Sequence, residues 1–211
     1  LAPLPGGYDT NNWSTASLKT ELNGTYLTTL LGASNVNSKL SSAITNTKWH
    51  LGGASESNYQ TLTAERIYTE ERNTSAIYSG NPSSIYAQVG LMYPSDYGYA
   101  TVGNSTTNGA GCRAKVLYNW DNSSHSNCKN NDWLFTSQKS SWGSNKYEWL
   151  LSPYSSNSRC AAAVDLSGCV NHRLNVGGDL LAVRPVFYLD SSILKIVGTG
   201  DGTKDNAYRV G

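Results

Sequence analysis

Residues 85–100, IYAQVGLMYPSDYGYA, divide the chain into two parts of different character. Ile85 to Met92 form a mostly apolar run of strand-forming residues, and Pro94 and Gly98 lie within a cluster of turn formers. This pattern predicts a buried strand that runs into a Pro/Gly turn. Upstream, apolar residues recur at helical spacing; downstream, short strand-like runs alternate with polar loops.

Upstream of the divide, Asn12-Trp13-Ser14-Thr15 offers side-chain caps to a helix whose Leu18, Leu22, Tyr26 and Leu30 fall four apart on one face, ending near Gly32. Val36, Leu40 and Ile44 repeat that spacing in a second helix from about Asn37. Thr63-Ala64-Glu65-Arg66 begins a third, with a hydroxyl cap and a carboxylate placed early for the helix dipole. Downstream, the strand candidates are Ala114–Tyr118, Lys146–Leu151, Ala161–Leu166, Val170–Leu174, Ala182–Leu189 and Leu194–Val197. Helices first and strands later predict an α+β fold, since alternating βαβ units would interleave the two. A Pro/Gly-rich lead-in over 1–12 and one domain over 13–211 complete the expected organisation.

A chain of 211 residues can bury about 70% of its unfolded surface in one domain. Charged residues make up 15% and the net charge is +1, which leaves no field to gather nucleic acid. No stretch reaches the roughly 20 apolar residues of a membrane helix, so direct membrane insertion is not expected. About a third of the chain is Ser, Thr, Asn or Gln, and there are 14 Tyr against 2 Phe. Such a chain is loop-rich, and its amphipathic rings suit recognition surfaces. With four Cys and one Met, it fits an extracellular setting better than the cytosol. In a chain this rich in Asn, Ser and Thr, the Asn-x-Ser/Thr triplets at Asn12, Asn23, Asn73, Asn104 and Asn122 arise by chance.

Several stretches resemble a family of bacterial surface domains: Gly90 to Ala100, the Cys112…Tyr118-Asn119…Cys128 and Asn131-Asp132-Trp133-Leu134 cluster, Trp149-Leu150-Leu151-Ser152-Pro153, and Val183-Arg184-Pro185-Val186-Phe187-Tyr188-Leu189. Members of that family often follow a pilin-like anchor. In their C-terminal half they are similar to C-type-lectin-like domains of the formylglycine-generating type, the fold that also displays the variable residues of diversity-generating retroelement proteins. The resemblance implies a C-type-lectin-like fold and a location at the bacterial cell surface. It also implies a variable recognition stretch over 154–179, just before the Val183-Arg184-Pro185 strand.

Within that stretch, Ala161–Leu166 and Val170–Leu174 predict a hairpin. A three-residue loop Ser167-Gly168-Cys169 would oppose Leu166 to Val170, Val164 to His172 and Ala162 to Leu174, keeping apolar with apolar, whereas a two-residue loop mixes the faces. The preferred register projects Asp165, Asn171 and Arg173 from the polar face, joined by Tyr154, Asn157, Arg159 and Asn175 from neighbouring loops. These seven are the expected ligand contacts for a protein or glycan partner. The same register separates Cys160 from Cys169 by roughly 20 Å at about 3.3 Å per residue, beyond the Cα separation of about 7 Å that a disulfide tolerates. Both are therefore expected as free thiols on the variable face. Cys112 and Cys128 flank a polar loop with little apolar content, where a bond would stabilise by about 3 kcal/mol, and they are the expected disulfide. Arg184, in an apolar strand before Pro185, is expected as a buried, hydrogen-bonded scaffold residue.

Catalytic and metal signatures are not apparent. His50, His125 and His172 show no ligand spacing, there is no Cys-x-x-Cys, and no cofactor is expected. The nearest matches to the calcium motifs of sugar-binding lectins are Asn81-Pro82-Ser83, which has no carboxylate, and Trp120-Asp121-Asn122, while Gly200-Asp201-Gly202 and Asp205-Asn206 offer only a loose ion site. The formylglycine-generating relatives use a late cysteine pair with copper, but no Lys or His cluster accompanies Cys160 and Cys169 to activate them. The expectation is a non-enzymatic, extracellular ligand-binding domain. A formylglycine-generating-type oxidoreductase and a structural subunit of a pilus-like filament are the alternatives.

Overall fold

The computed structural model of the chain describes residues 10–34, 40–101, 103, 107–138, 147–170, 174–176, 181–190, 196–197 and 209–210. Helices and small antiparallel sheets are mixed, and the α+β expectation holds. The helical lead comprises α1 (Ser17–Glu21), α2 (Leu27–Gly32), α3 (Leu40–Ala43), α4 (Glu56–Tyr59) and α5 (Ala64–Glu71), with β1 (Thr47–His50) among them. β2 (Ser84–Ala87) and β3 (Val89–Leu91) precede α6 (Pro94–Tyr99), α7 (Gly109–Arg113), α8 (Ser126–Asn130) and α9 (Trp133–Gln138). The remaining strands are β4 (Tyr147–Pro153), β5 (Cys160–Asp165), β6 (Leu174–Asn175), β7 (Pro185–Phe187), β8 (Ile196–Val197) and β9 (Arg209–Val210).

The first predicted helix forms with one extra residue in its middle. Between α1 and α2, Leu22–Tyr26 is a π-helical segment, so the buried pair is Leu22 and Leu27, five apart. The widened turn places Asn23 where its Nδ2 donates to Val89 O and its Oδ1 accepts from the backbone N–H groups of Gln88 and Val89. That side chain thereby ties the helix to the start of β3. The predicted Pro/Gly turn after β3 is instead α6: Pro94 occupies the first helical position, and Asp96 accepts from the Tyr93 N–H at 2.8 Å. The third helix begins as expected, with the Thr63 hydroxyl accepting from Arg66 N. Ala114–Tyr118 contributes only a bridge from Val116 to Thr63 before a short 3-10 turn at Leu117–Asn119.

β4, β5 and β6 form an antiparallel sheet in that order, β3 pairs with β7, β1 with β2, and β8 with β9. β5 is buried from Cys160 to Val164. Ala161 and Ala163 face one apolar cluster with Trp49, Leu91, Trp149 and Leu151. Cys160, Ala162 and Val164 face a second cluster with Tyr59, Tyr97, Trp120 and Leu150. The sheet thus lies between two cores, and its small residues let both approach.

That burial overturns the premise of the predicted hairpin, which gave β5 one exposed face. Cys160 pairs with Asn175 and Ala161 with Leu174, while Val164 bridges to Val170. The expected pairings of Leu174 with Ala162 and of Val170 with Leu166 are both corrected; His172 lies outside the described residues. With apolar partners on both sides, hydrophobic patterning no longer chooses the register. The loop from Asp165 to Cys169 closes through its own bonds: Asp165 Oδ1 accepts from Ser167 N and Cys169 N, and Asp165 N donates to Cys169 O. Gly168 occupies a positive φ of 84° within it.

Part of the lead-in belongs to the domain. Asn11 is buried, and its amide donates to the carbonyls of Tyr154, Asn157 and Cys160 while its oxygen accepts from Asn81. One side chain thereby fixes the turn between β4 and β5. The expected disulfide Cys112–Cys128 is present and ties α7 to α8, with Cα atoms 5.5 Å apart.

Candidate recognition surface

Among the described residues, the predicted recognition side chains Tyr154, Asn157, Arg159 and Asp165 do not share one exposed face. Tyr154 is 2% exposed, its ring set edge-on against Tyr59 at 4.9 Å, so the expectation that it contacts ligand is corrected: it is core. Asn157 is half-buried, and its side-chain oxygen accepts from Arg159 N within the turn. Asp165 is spent on its own loop. Arg159 is exposed. Asn171 and Arg173 lie outside the described residues, and Asn175 is described only through its backbone pairing with Cys160. Cys160 and Cys169 are unbridged as expected, but both are buried, which corrects their placement on an exposed face. Burial pushes the Cys169 thiol up to about 12, far from a reactive thiolate.

A different surface carries the chemistry, and it is built on the contact between α5 and α6. Gly98 permits that contact, because a Cβ there would run into Ala64 Cβ. With the helices this close, Tyr68 and Tyr99 meet with ring centroids 5.4 Å apart and planes inclined at 37°. The Arg72 guanidinium carbon sits 3.4 Å above the Tyr68 ring, and that of Arg113 lies 5.3 Å from the Tyr99 ring. In the other direction Arg72 lies 5.2 Å from the Tyr93 ring, Tyr93 packs on Trp49 at 6.2 Å, and Trp49 on Tyr188 at 5.2 Å.

The result is a ladder of seven planar groups, Tyr188, Trp49, Tyr93, Arg72, Tyr68, Tyr99 and Arg113. Its interior rungs are fixed: Trp49 Nε1 donates to Ala87 O, and the Tyr93 hydroxyl is held by the His50 N–H and C=O. Its outer rungs face solvent, with Tyr68, Tyr99 and Tyr188 each between 40% and 47% exposed. Trp133, also exposed, starts α9 and donates its backbone N–H to Ala100 O, immediately after Tyr99. Four of the six large exposed apolar side chains among the described residues thus gather around α6. Aromatic rings and guanidinium groups of this kind dominate binding energy wherever they occur at interfaces.

A buried carboxyl supports the ladder from below. Glu71 Oε1 accepts from Ser95 N at 2.8 Å, and Oε2 accepts from Ser95 Oγ at 2.6 Å and from Arg72 Nη1 at 3.1 Å. Burial raises the Glu71 pKa to about 8, against the opposing pull of the Ser95 hydrogen bonds and Arg72. Arg184 is half-buried, with its Nε 3.6 Å from the buried Glu148 and Nη2 donating to Leu134 O, which agrees with its expected scaffold role. Glu148 also accepts from the Tyr97 hydroxyl at 3.0 Å. No three His, Cys, Asp or Glu side chains come together as a metal-binding group among the described residues.

One rung of the ladder was legible in the chain: Tyr68 and Arg72 are four apart in the helix predicted from Thr63, the spacing at which side chains meet. Tyr93, Tyr99 and Tyr188 join them only through tertiary contacts. No protein-family model, no curated protein and no solved structure matches the chain.

Proposed function

We propose that this chain is a non-enzymatic, extracellular ligand-binding domain of a bacterial surface protein, with a C-type-lectin-like fold, and that the tyrosine–arginine ladder is its recognition surface. The observation that carries the reading is the ladder itself. Three tyrosines are held half-exposed on a rigid base with a guanidinium group stacked among them, an arrangement that gives amphipathic contact area at little entropic cost. The Cys112–Cys128 bond suits an oxidising environment, and among the described residues no helix is long and apolar enough to cross a membrane. The partner is a protein or glycan on another surface.

Among the described residues of a diversified stretch over 154–179, Ser156, Arg159, Leu166 and Ser167 in the turns are the exposed positions, since β5 is enclosed by core on both faces. The test is binding of the labelled domain to a glycan array and to intact cells, compared with the double variant Tyr68→Ala, Tyr99→Ala. Loss of binding with a cooperative thermal melt retained is expected. Full binding by that variant would remove the ladder from the reading.

A further inference from the structure

Arg72 is used on only one side. Its Nη1 makes both of its hydrogen bonds, to Tyr68 O and to Glu71 Oε2. Nε and Nη2 carry the remaining N–H groups and have no partner among the described residues, although the side chain is 29% exposed. A guanidinium with an unused donor edge matches a carboxylate or sulfate, which it engages by parallel hydrogen bonds. The stack with Tyr68 and the bond to Glu71 fix the orientation of that edge, so little entropy is lost on binding. Beside it stand Tyr68 and Tyr99, 40% and 44% exposed, with ring planes inclined to one another by 37°.

Resting on the ladder as the recognition surface, we infer that Arg72 receives the anionic group of an acidic sugar unit, a pyranose bearing a carboxylate or sulfate ester, whose apolar face lies on Tyr68 and Tyr99. A pyranose carries its anion and its apolar face in one rigid unit. An acidic peptide places its carboxylate at the end of a flexible side chain and must order that chain to reach both features. Arg113 is a weaker candidate for the anion, since Glu65 Oε1 already lies 3.7 Å from its Nε.

Calorimetric titration of the whole domain tests this with five probes: a hyaluronan tetrasaccharide, a chondroitin-sulfate tetrasaccharide, neutral chitotetraose, tetraglutamate and inorganic sulfate. The two acidic oligosaccharides are expected to bind at least about tenfold more tightly than the others, in proportion to a charged hydrogen bond. Both acidic oligosaccharides carry the glucuronate carboxylate, so binding by both, or by hyaluronan alone, assigns the anion as carboxylate; binding by chondroitin sulfate alone assigns the sulfate ester. Arg72→Gln is expected to lose that preference, and Arg72→Lys, which keeps the charge beside Glu71 but not the planar fork, to lose most of it while retaining the native melting temperature. Equal affinity for chitotetraose, tighter binding of tetraglutamate or sulfate, or an Arg72→Lys variant with unchanged preference would overturn the assignment. If no probe binds while cells are still bound through Tyr68 and Tyr99, the sugar is wrong and the recognition surface stands. If the Tyr68→Ala, Tyr99→Ala variant also binds cells fully, the surface itself is wrong.

Discussion

Arg72, at the C-cap of α5, holds its guanidinium carbon 3.4 Å above the centre of the Tyr68 ring one turn earlier, while its Nη1 reaches down to the buried Glu71. The pair links the exposed aromatic face to the polar interior. A double-mutant cycle with Tyr68→Ala and Arg72→Met, read by denaturant unfolding, is expected to give a coupling of about 0.5–1 kcal/mol, the range for a partly exposed cation–aromatic contact. A coupling near zero would mean that the stack is incidental.

Glu71 and Asp132 are buried carboxyls whose pKa values are both raised by burial to about 8. Each folded-state value lies above the unfolded one, so the folded state holds the extra protons. Their stabilising contribution is complete below about pH 4 and is lost as pH rises through about 8, at roughly 1.4 kcal/mol per pH unit for each proton. Melting temperature is expected to fall from pH 5 to pH 8.5, and Glu71→Gln to flatten that fall. An equally steep fall in the variant would exclude Glu71 as a source.

Gly98 lies where α6 meets Ala64 of α5. Gly98→Ala is expected to cost about 1–3 kcal/mol through overpacking and to splay Tyr68 from Tyr99. Denaturant melts and the near-ultraviolet tyrosine signal report the two effects separately.

Cys112 and Cys128 close a loop that carries the buried Leu117 and Trp120, and replacing both cysteines with Ser is expected to lower stability by about 3 kcal/mol. Non-reducing peptide mapping should recover the 112–128 link alone. Cys160 and Cys169, both buried, should react with a thiol reagent only on unfolding. Rapid labelling of either in the native protein would contradict its placement in the core.

Tyr154 and Arg159 lie five residues apart in environments of opposite kind. Tyr154→Ala is expected to cost about 3–5 kcal/mol, the range for emptying a buried aromatic site, and Arg159→Ala, at an exposed side chain, to cost clearly less. Comparable losses would mean that the turn between β4 and β5 is organised differently.

What the sequence by itself determined was local. The Thr63 cap and the Cys112–Cys128 bond formed as expected, whereas the order of elements did not: β1 lies among the first helices, and α7, α8 and α9 occupy 109–138 where strands and loops were expected. Asn23 shows where local reading ends: four-residue spacing predicts a regular helix, but hydrogen bonds to β3 accompany a turn of five. Only the tertiary structure decided that β5 lies between two cores. Alternation along a strand identifies a buried face only when the other face meets water; with Ala161 and Ala163 packed on one side and Cys160, Ala162 and Val164 on the other, alternation carries no such information. The same holds for the candidate site. Tyr68, Tyr99 and Tyr188 are unremarkable tyrosines in a tyrosine-rich chain until the close approach of α5 to α6 and the packing of Trp49 place them in one ladder.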